Sequence, residues 1–240
     1  MVLTAHDVVQ VWEAGQRQPP AVQALTILAA AWPSRTWDDI ARLPLRQRDS
    51  LLFGLRRDLL GPRLDSVVDC PECGTDLEFA LDTTEIGHLD VEIEPGAPLT
   101  LEAGGQSIEY RLPDTTDIVA MSASADLDAA RQTLLDRCVV RVVAGGQDAP
   151  LLPAGLDALA LALDEQDAAA DIEIDLLCPT CGHGWQVALE IATFFWTEVS
   201  AQARRLLREV DALARVYGWR EADILAMSAT RRRFYLEMVG

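Results

Sequence analysis

Apolar residues recur every three or four positions over the first sixty residues, and this spacing predicts helices. Thr4 can cap the first helix, a second covers residues 21–31, and Thr36 can cap a short third one. Pro44 opens a fourth helix that is rich in leucine. We expect a solvated face, paired with nearby aspartates, from the four arginines of this helix: Arg46, Arg48, Arg56 and Arg57.

The same spacing predicts one long helix after residue 189, with arginines on the face opposite its apolar residues and Gly218 as its stop. Two shorter helices follow, the first from about Glu221 and the last capped by Ser228. We expect a helical hairpin that folds back and buries four side chains: Trp219, Phe234, Tyr235 and Leu236.

Between these helical ends the pattern alternates with a period of two, which is typical of strands. Strands are predicted near residues 66–69, 76–81 and 172–177, and a hairpin is predicted from 99 to 112 across a Gly-Gly turn. Short helices are predicted from Asp114, from Asp126 and over 155–163. The middle of the chain therefore has α/β character of its own.

With 240 residues, half of them hydrophobic, the chain can bury a substantial core in one or two domains. It contains no run of eighteen apolar residues, and its start has neither a basic region nor an apolar leader. We therefore expect a cytoplasmic protein that does not enter a membrane.

The net charge of −18 is concentrated in the middle of the chain. Residues 74–177 hold 22 Asp and Glu against four Arg, whereas the rest of the chain holds sixteen of each. Such a protein should repel nucleic acid. The acidic stretch is interpreted as a solvated surface, with docking to an arginine-rich partner as the alternative.

Two copies of Cys-Pro-x-Cys-Gly are the most informative motif: Cys70, Cys73 and Gly74 belong to the first, and Cys178 and Cys181 to the second. The glycine after each second cysteine permits a positive φ, which lets the turn tighten around the sulfurs. Apolar residues lie four, six and eight positions past the second cysteine in both copies. Matched motifs with matched strands predict two zinc knuckles that share one structural zinc.

The cysteines leave alternatives open, namely two redox dithiols, an iron centre or unliganded thiols. The fifth cysteine, Cys138, is interpreted as a small buried apolar residue. His183 could lie in the second shell of the metal. Four cysteines close a tetrahedron, and the chain has no phosphate loop, nucleophile elbow or His-Glu-x-x-His motif. We therefore predict no enzymatic activity and no small-molecule substrate.

Together these patterns predict an α+β fold, with helical N- and C-terminal parts around a four-cysteine zinc ribbon and an α/β insertion between the two knuckles. The predicted parts are an N-terminal helical module (1–64), the first knuckle (65–82), the acidic insertion (83–170), the second knuckle (171–190) and a C-terminal helical hairpin (191–240).

Several segments of the chain resemble a family of baseplate proteins of T-even-type contractile phages, also found in phage-tail-like injection systems. They include the first knuckle, the second knuckle and these further stretches: Arg48 to Arg56, Tyr110 to Pro113, Leu134 to Cys138, Phe195 to Glu198, Tyr217 to Ser228 and Arg231 to Leu236. The last two are the most individual.

The resemblance implies a non-enzymatic part of the baseplate or hub of a contractile tail, or a chaperone for its assembly. It implies other baseplate or hub proteins as partners, and a cytoplasmic protein that can be incorporated in an assembled particle. The rival interpretation is an independent metal protein, either a zinc-ribbon adaptor or a rubredoxin-like electron carrier.

The predicted docking surface is on the helical ends, because they are neutral in charge and, with the knuckles, hold all six tryptophans. We expect at least half of these tryptophans to serve the core instead.

Overall fold

A computed structural model describes residues 3–84, 97–167 and 172–239. Residues 85–96 and 168–170 of the predicted acidic insertion lie outside the described residues.

The helices of the described chain fall into three groups along the sequence. The N-terminal group comprises α1 (Ala5–Gly15), α2 (Pro20–Ala31), α3 (Trp37–Ala41) and α4 (Leu45–Leu60). The central group comprises α5 (Thr115–Met121), α6 (Leu127–Cys138) and α7 (Pro153–Asp167). The C-terminal group comprises α8 (Ile191–Tyr217), α9 (Glu221–Leu225) and α10 (Ala229–Val239).

Local capping explains where several helices begin, as the sequence predicted. The side chains of Thr4, Thr36 and Asp114 each accept a hydrogen bond from the backbone of the third helical residue, and that residue is an aspartate that returns the contact. Such capping boxes satisfy amide groups that have no partner within the helix. Gly218 ends α8 in the left-handed conformation, with φ of 67°.

The strands of the described residues form three antiparallel sheets. Two are hairpins, β1 (Arg63–Asp69) with β2 (Asp76–Asp82), and β7 (Glu173–Leu177) with β8 (Gly184–Ala188). The third, in the order β3-β4-β5-β6, contains β3 (Leu99–Ala103), β4 (Gln106–Tyr110), β5 (Val139–Ala144) and β6 (Gln147–Asp148). The sequence analysis missed β5 and β6, because a short apolar run directly after a helix does not show a period of its own.

The main hydrophobic core is shared by the two ends of the chain. Side chains of α1, α2, α4, α8 and α9 pack in one cluster, with the long helix α8 contacting α1, α2 and α4. Phe195, Leu206 and Leu213 of α8 are fully buried in this cluster, as are Ile27 and Leu28 of α2. Burial of one such side chain contributes about 1.5–3 kcal/mol. Four of the six tryptophans pack against this cluster, as expected: Trp12, Trp32, Trp196 and Trp219.

The central segment has a smaller core of its own, built between the four-stranded sheet and helices α6 and α7. Tyr110, Leu135 and Leu159 are buried in it together with Cys138, which is 0% exposed. The interpretation of Cys138 as a small buried residue is therefore confirmed. Burial also raises the pKa of this thiol to about 12, so it is a poor nucleophile.

A buried aspartate ties this central segment together. Asp117 of α5 is 0% exposed and accepts hydrogen bonds from Arg111 at 2.6 and 2.8 Å and from Arg137 at 2.7 Å. Burial by itself would raise the pKa of Asp117, but the bonds from Arg111, the Asp114 amide and Arg137 outweigh it and lower the pKa. The carboxylate joins the end of β4 to α5 and α6.

The prediction of a solvated arginine face on α4 is wrong for two residues. Arg48 and Arg56 are 8% and 2% exposed. Arg48 pairs with Asp49 at 2.7 Å, as predicted, but Arg56 forms a bidentate pair with Glu198 of α8. Both arginines follow the spacing of the buried Leu52, one a turn before it and the other a turn after it, so the helix directs them inward.

The C-terminal helices pack back on α8, but they do not bury all four predicted side chains. Phe234 is 60% exposed, whereas Trp219, Tyr235 and Leu236 are half-buried. The inward position on α10 is taken by Arg232, which is 4% exposed and pairs with Glu209 at 2.7 Å. A charge pair therefore occupies part of the interface that was expected to be apolar.

Within the described parts of the chain, no helix combines the length and the apolar character that crossing a bilayer requires.

Candidate metal centre

The two Cys-x-x-Cys motifs form the tips of the two hairpins. The last paired residues of β1 and β2 are Asp69 and Asp76, which enclose the first motif, and those of β7 and β8 are Leu177 and Gly184, which enclose the second. Side chains alternate between exposed positions and positions that are half-buried or, at Leu64, fully buried along these strands. The alternation predicted after each motif is therefore confirmed.

The two tips repeat the same backbone hydrogen bonds. The amide of Cys70 donates to the carbonyl of Thr75 at 2.9 Å, and the amide of Cys178 donates to the carbonyl of His183 at 2.8 Å. In each tip the glycine amide also donates to the carbonyl of the first cysteine at 2.9 Å. Gly74 and Gly182 have φ of 68° and 73°, as predicted. Residues other than glycine rarely adopt a positive φ, so the turn needs glycine.

The hairpins are rooted in the helical body at their open ends. The guanidinium of Arg56 donates to the carbonyls of Gly61 and Arg63, at 2.7 and 2.8 Å, where the chain enters β1. The same guanidinium holds Glu198 of α8. The second hairpin continues almost directly into α8, which begins at Ile191. Helix α8 therefore positions the open ends of both hairpins, and the two hairpin tips meet.

At the meeting point the four sulfur atoms lie within 4.8 Å of one another. The Sγ atoms of Cys70 and Cys181 are 3.7 Å apart, and those of Cys73 and Cys178 are 3.6 Å apart. A tetrahedral zinc with Zn–S bonds of about 2.3 Å requires sulfurs about 3.8 Å apart. The first cysteine of each motif is buried and the second is exposed, which adds to the symmetry of the cluster.

The thiols of the cluster differ in acidity. Contacts with the hydroxyl and the amide of Thr75 lower the pKa of Cys73 to about 6, and the amides of Cys181 and Thr180 lower the pKa of Cys178. The amide of His183 favours the thiolate of Cys181, but lost hydration and the neighbouring sulfurs raise the pKa of Cys181 to about 12. Crowded thiols therefore cannot all ionise together unless a cation compensates the charge.

This donor set suits a soft divalent cation. The close pairs join one hairpin to the other, Cys70 to Cys181 and Cys73 to Cys178, so the sulfurs are arranged as one shared cluster and not as two separate dithiols. All five cysteines are free thiols, and Cys138 lies elsewhere, in the small core. The backbone carbonyl of His183 accepts the hydrogen bond that closes the turn, while its ring stacks on Trp185 with ring centres 5.9 Å apart.

Sequence reasoning named the four cysteines but missed the residues that position them. Arg56 and Glu198 are 142 positions apart, and no pattern along the chain pairs them. One signal was available for Arg56, because it lies one helical turn after Leu52, on the apolar face of α4. No comparable signal marks Glu198.

A family model described as T4 bacteriophage base plate protein matches residues 23–196 of the chain, which is well over half of it. The match includes both cysteine motifs and confirms the resemblance. The two closing segments that also carried the resemblance lie beyond the matched range. Comparisons with curated proteins and with solved structures found no match.

Proposed function

Because the chain belongs to the T4 bacteriophage base plate protein family, we propose that it is a non-catalytic, zinc-binding structural component of the baseplate or hub of a contractile phage tail or phage-tail-like injection system. The structural role is proposed on the basis of the family match. The zinc is proposed from the spacing of the four sulfurs, with Cys70, Cys73, Cys178 and Cys181 as its ligands.

The proposed zinc has a structural role. Four thiolates complete the tetrahedral coordination of zinc and leave no position for a substrate or a water nucleophile. When bound, the ion supplies positive charge that stabilises the thiolates and joins the two hairpins. The chain itself supplies the turn geometry, the amides of Thr75 and His183 near the exposed sulfurs, and the anchorage through Arg56.

We further propose that the protein acts by docking other baseplate or hub proteins, without binding nucleic acid, membrane or small molecules. It is made in the cytoplasm and assembled there into the particle. The acidic central segment supports the exclusion of nucleic acid, because phosphate and carboxylate repel each other.

The composition of purified particles tests this function. Tail particles from the native host, separated by density and analysed by quantitative mass spectrometry, should contain the chain at a constant ratio to the other baseplate proteins. Detection in assembly intermediates but not in finished particles would identify an assembly chaperone instead. Recovery with RNA polymerase or with redox partners, and never with tail proteins, would favour the adaptor or the electron carrier.

The genes next to that of the protein provide a second test. Genes for sheath, tube and spike proteins beside it are expected. Their absence, together with fractions that lack tail proteins, would contradict the proposal.

A further inference from the structure

The surface of the C-terminal helices carries a group of large side chains that we name the aromatic face. It consists of residues from the end of α8, the turn after it and α10: Tyr217, Trp219, Arg231, Phe234, Tyr235 and Met238. It lies outside the matched range of the family and has no part in the metal centre.

The rings of this face form a continuous platform. Tyr217 stacks on Trp219 with ring centres 4.4 Å apart, and Tyr235 meets Trp219 edge-on at 4.9 Å. The ring centres of Phe234 and Tyr235 are 6.0 Å apart, and the guanidinium carbon of Arg231 lies over the Tyr235 ring, 5.7 Å from its centre. Such contacts restrict the side chains before any partner arrives, which lowers the entropy cost of binding.

The rotation of α10 is set by its buried arginine. Arg232 donates to Glu209 at 2.7 Å and to the carbonyl of Met227 at 2.8 Å. Because each residue turns the helix by about 100°, Phe234 and Met238 must then point away from α8. They are 60% and 54% exposed. The burial of Arg232 thus leaves two large apolar side chains together on one unpartnered helix face.

The charge of this region is opposite to that of the rest of the chain. Residues 191–240 hold eight Arg and six Asp or Glu, so they carry +2 in a protein of net charge −18. Arg231 and Arg233 are exposed, and no ion pair of either is found among the described residues. A partner surface that meets both the rings and these arginines must offer apolar side chains together with carboxylates.

We propose that the aromatic face docks an acidic amphipathic segment of another protein of the same baseplate, an inference that rests on the proposed function. Phe234 and Met238 enter the apolar side of that segment, and Arg231 and Arg233 pair with its carboxylates. Aromatic residues, methionine and arginine are enriched at protein interfaces relative to the rest of the surface. The acidic central segment of this protein takes no part in the contact.

A photo-cross-linker tests the contact in the native host. The residue p-benzoylphenylalanine replaces Phe234 in one strain and Leu161 in a control strain, since Leu161 of α7 is 64% exposed in the acidic part of the chain. After irradiation, we expect position 234 to cross-link to a peptide of another tail protein that is rich in Asp, Glu and apolar residues. Position 161 should not cross-link to that peptide.

A charge reversal provides the second measurement. Adding Arg231→Glu to the strain with the cross-linker at 234 should lower the yield of that cross-link about tenfold, because attraction to the carboxylates becomes repulsion. Arg231 is exposed, so the fold should persist, and circular dichroism and the metal content verify it. An unchanged yield overturns the proposed pairing.

The remaining outcomes separate this inference from the proposed function. If the protein is recovered with tail proteins but position 234 cross-links to none of them, or to a second copy of the chain, the docking surface is wrong and the proposed function stands. If the unmodified protein is never recovered with tail proteins, the proposed function fails and this inference falls with it.

Discussion

Single arginines hold distant parts of this protein together. Arg56 makes four hydrogen bonds, two to Glu198 and one each to the carbonyls of Gly61 and Arg63. The planar guanidinium can serve all these acceptors at once, which a lysine ammonium could not do with the same geometry. Removing one partner of such a buried pair typically costs about 3–5 kcal/mol. Arg56 therefore contributes strongly to the stability of the first hairpin's root and of its contact with α8.

The cysteines provide the sharpest prediction at this scale. Replacing Cys178 with serine should release the metal and lower the free energy of unfolding, because the energy of structural zinc binding, on the order of 10 kcal/mol in small zinc peptides, contributes to folding. Elemental analysis and urea unfolding measure the two effects. We expect the loss of stability to be smaller than in a peptide, because Arg56 also holds the first hairpin and the second continues into α8.

Cys138→Ser is the matched control, since Cys138 is buried but lies in the small core. It should keep a full complement of metal while losing about 1–3 kcal/mol of stability, through burial of a hydroxyl group among apolar side chains. The hypothesis fails if freshly purified, reduced wild-type protein holds well under one metal per chain, or if Cys178→Ser retains it.

At the scale of elements, helix α8 organises the molecule. It packs on α1, α2 and α4, receives the second hairpin at its N-terminus and binds Arg56 through Glu198 and Arg232 through Glu209. Its last residue, Tyr217, then supports the aromatic face. The backbone turn at Gly218 is what allows Trp219 to fold back on Tyr217.

Two glycines give a paired prediction about helices. Gly218 has φ of 67° and no atom within 4 Å of an added Cβ, so Gly218→Ala is opposed only by backbone strain and should cost about 1–2 kcal/mol. Gly54 lies inside α4, also with open space around it. Gly54→Ala should therefore stabilise the protein by about 0.5–1 kcal/mol.

The free energy of unfolding in urea measures both changes. A gain of stability in Gly218→Ala would show that α8 does not end in the left-handed turn, and the basis of the aromatic face would then need revision. A loss of stability in Gly54→Ala would contradict the expected gain in helix propensity.

At the scale of the whole molecule, charge is distributed unevenly along the chain. The acidic residues are concentrated between the cysteine motifs, whereas the C-terminal helices are net positive and expose Phe234 and Met238. Binding of zinc to four thiolates would add a further two negative charges at the tips of the hairpins. This uneven distribution of charge favours docking in one orientation, because a partner bound in another orientation meets charge of the same sign as its own.

The same distribution of charge predicts no useful affinity for nucleic acid. In a gel-shift assay at about 150 mM salt, where nonspecific binding is already weak, the metal-loaded protein should shift neither DNA nor RNA. A variant with Asp164 and Glu165 changed to asparagine and glutamine should behave in the same way, which controls for repulsion by the acidic helix α7. Tight binding by the unmodified protein would favour the zinc-ribbon adaptor instead.

The sequence by itself determined the features that depend on neighbouring residues. The capped helix starts, the glycine turns after Cys73 and Cys181, the hairpin across Gly104 and Gly105 and the alternation along the strands were all predicted, and the structure contains them. The sequence also identified the family, because the motifs that mark it are short and distinctive. Local hydrogen bonds and steric limits on φ act within a few residues, so they leave a pattern in the chain.

Only the tertiary structure decided which distant residues meet. The two helical ends share one core, Arg56 finds Glu198, and Arg232 takes the inward position that leaves Phe234 exposed. Helical spacing states which residues share a face, but the rotation of that face is set by packing against another element, 142 positions away for Arg56 and Glu198 and 23 for Arg232 and Glu209. The matched motifs predicted that the four cysteines share one site, but the tertiary structure brings their sulfurs together, because it roots both hairpins beside one long helix.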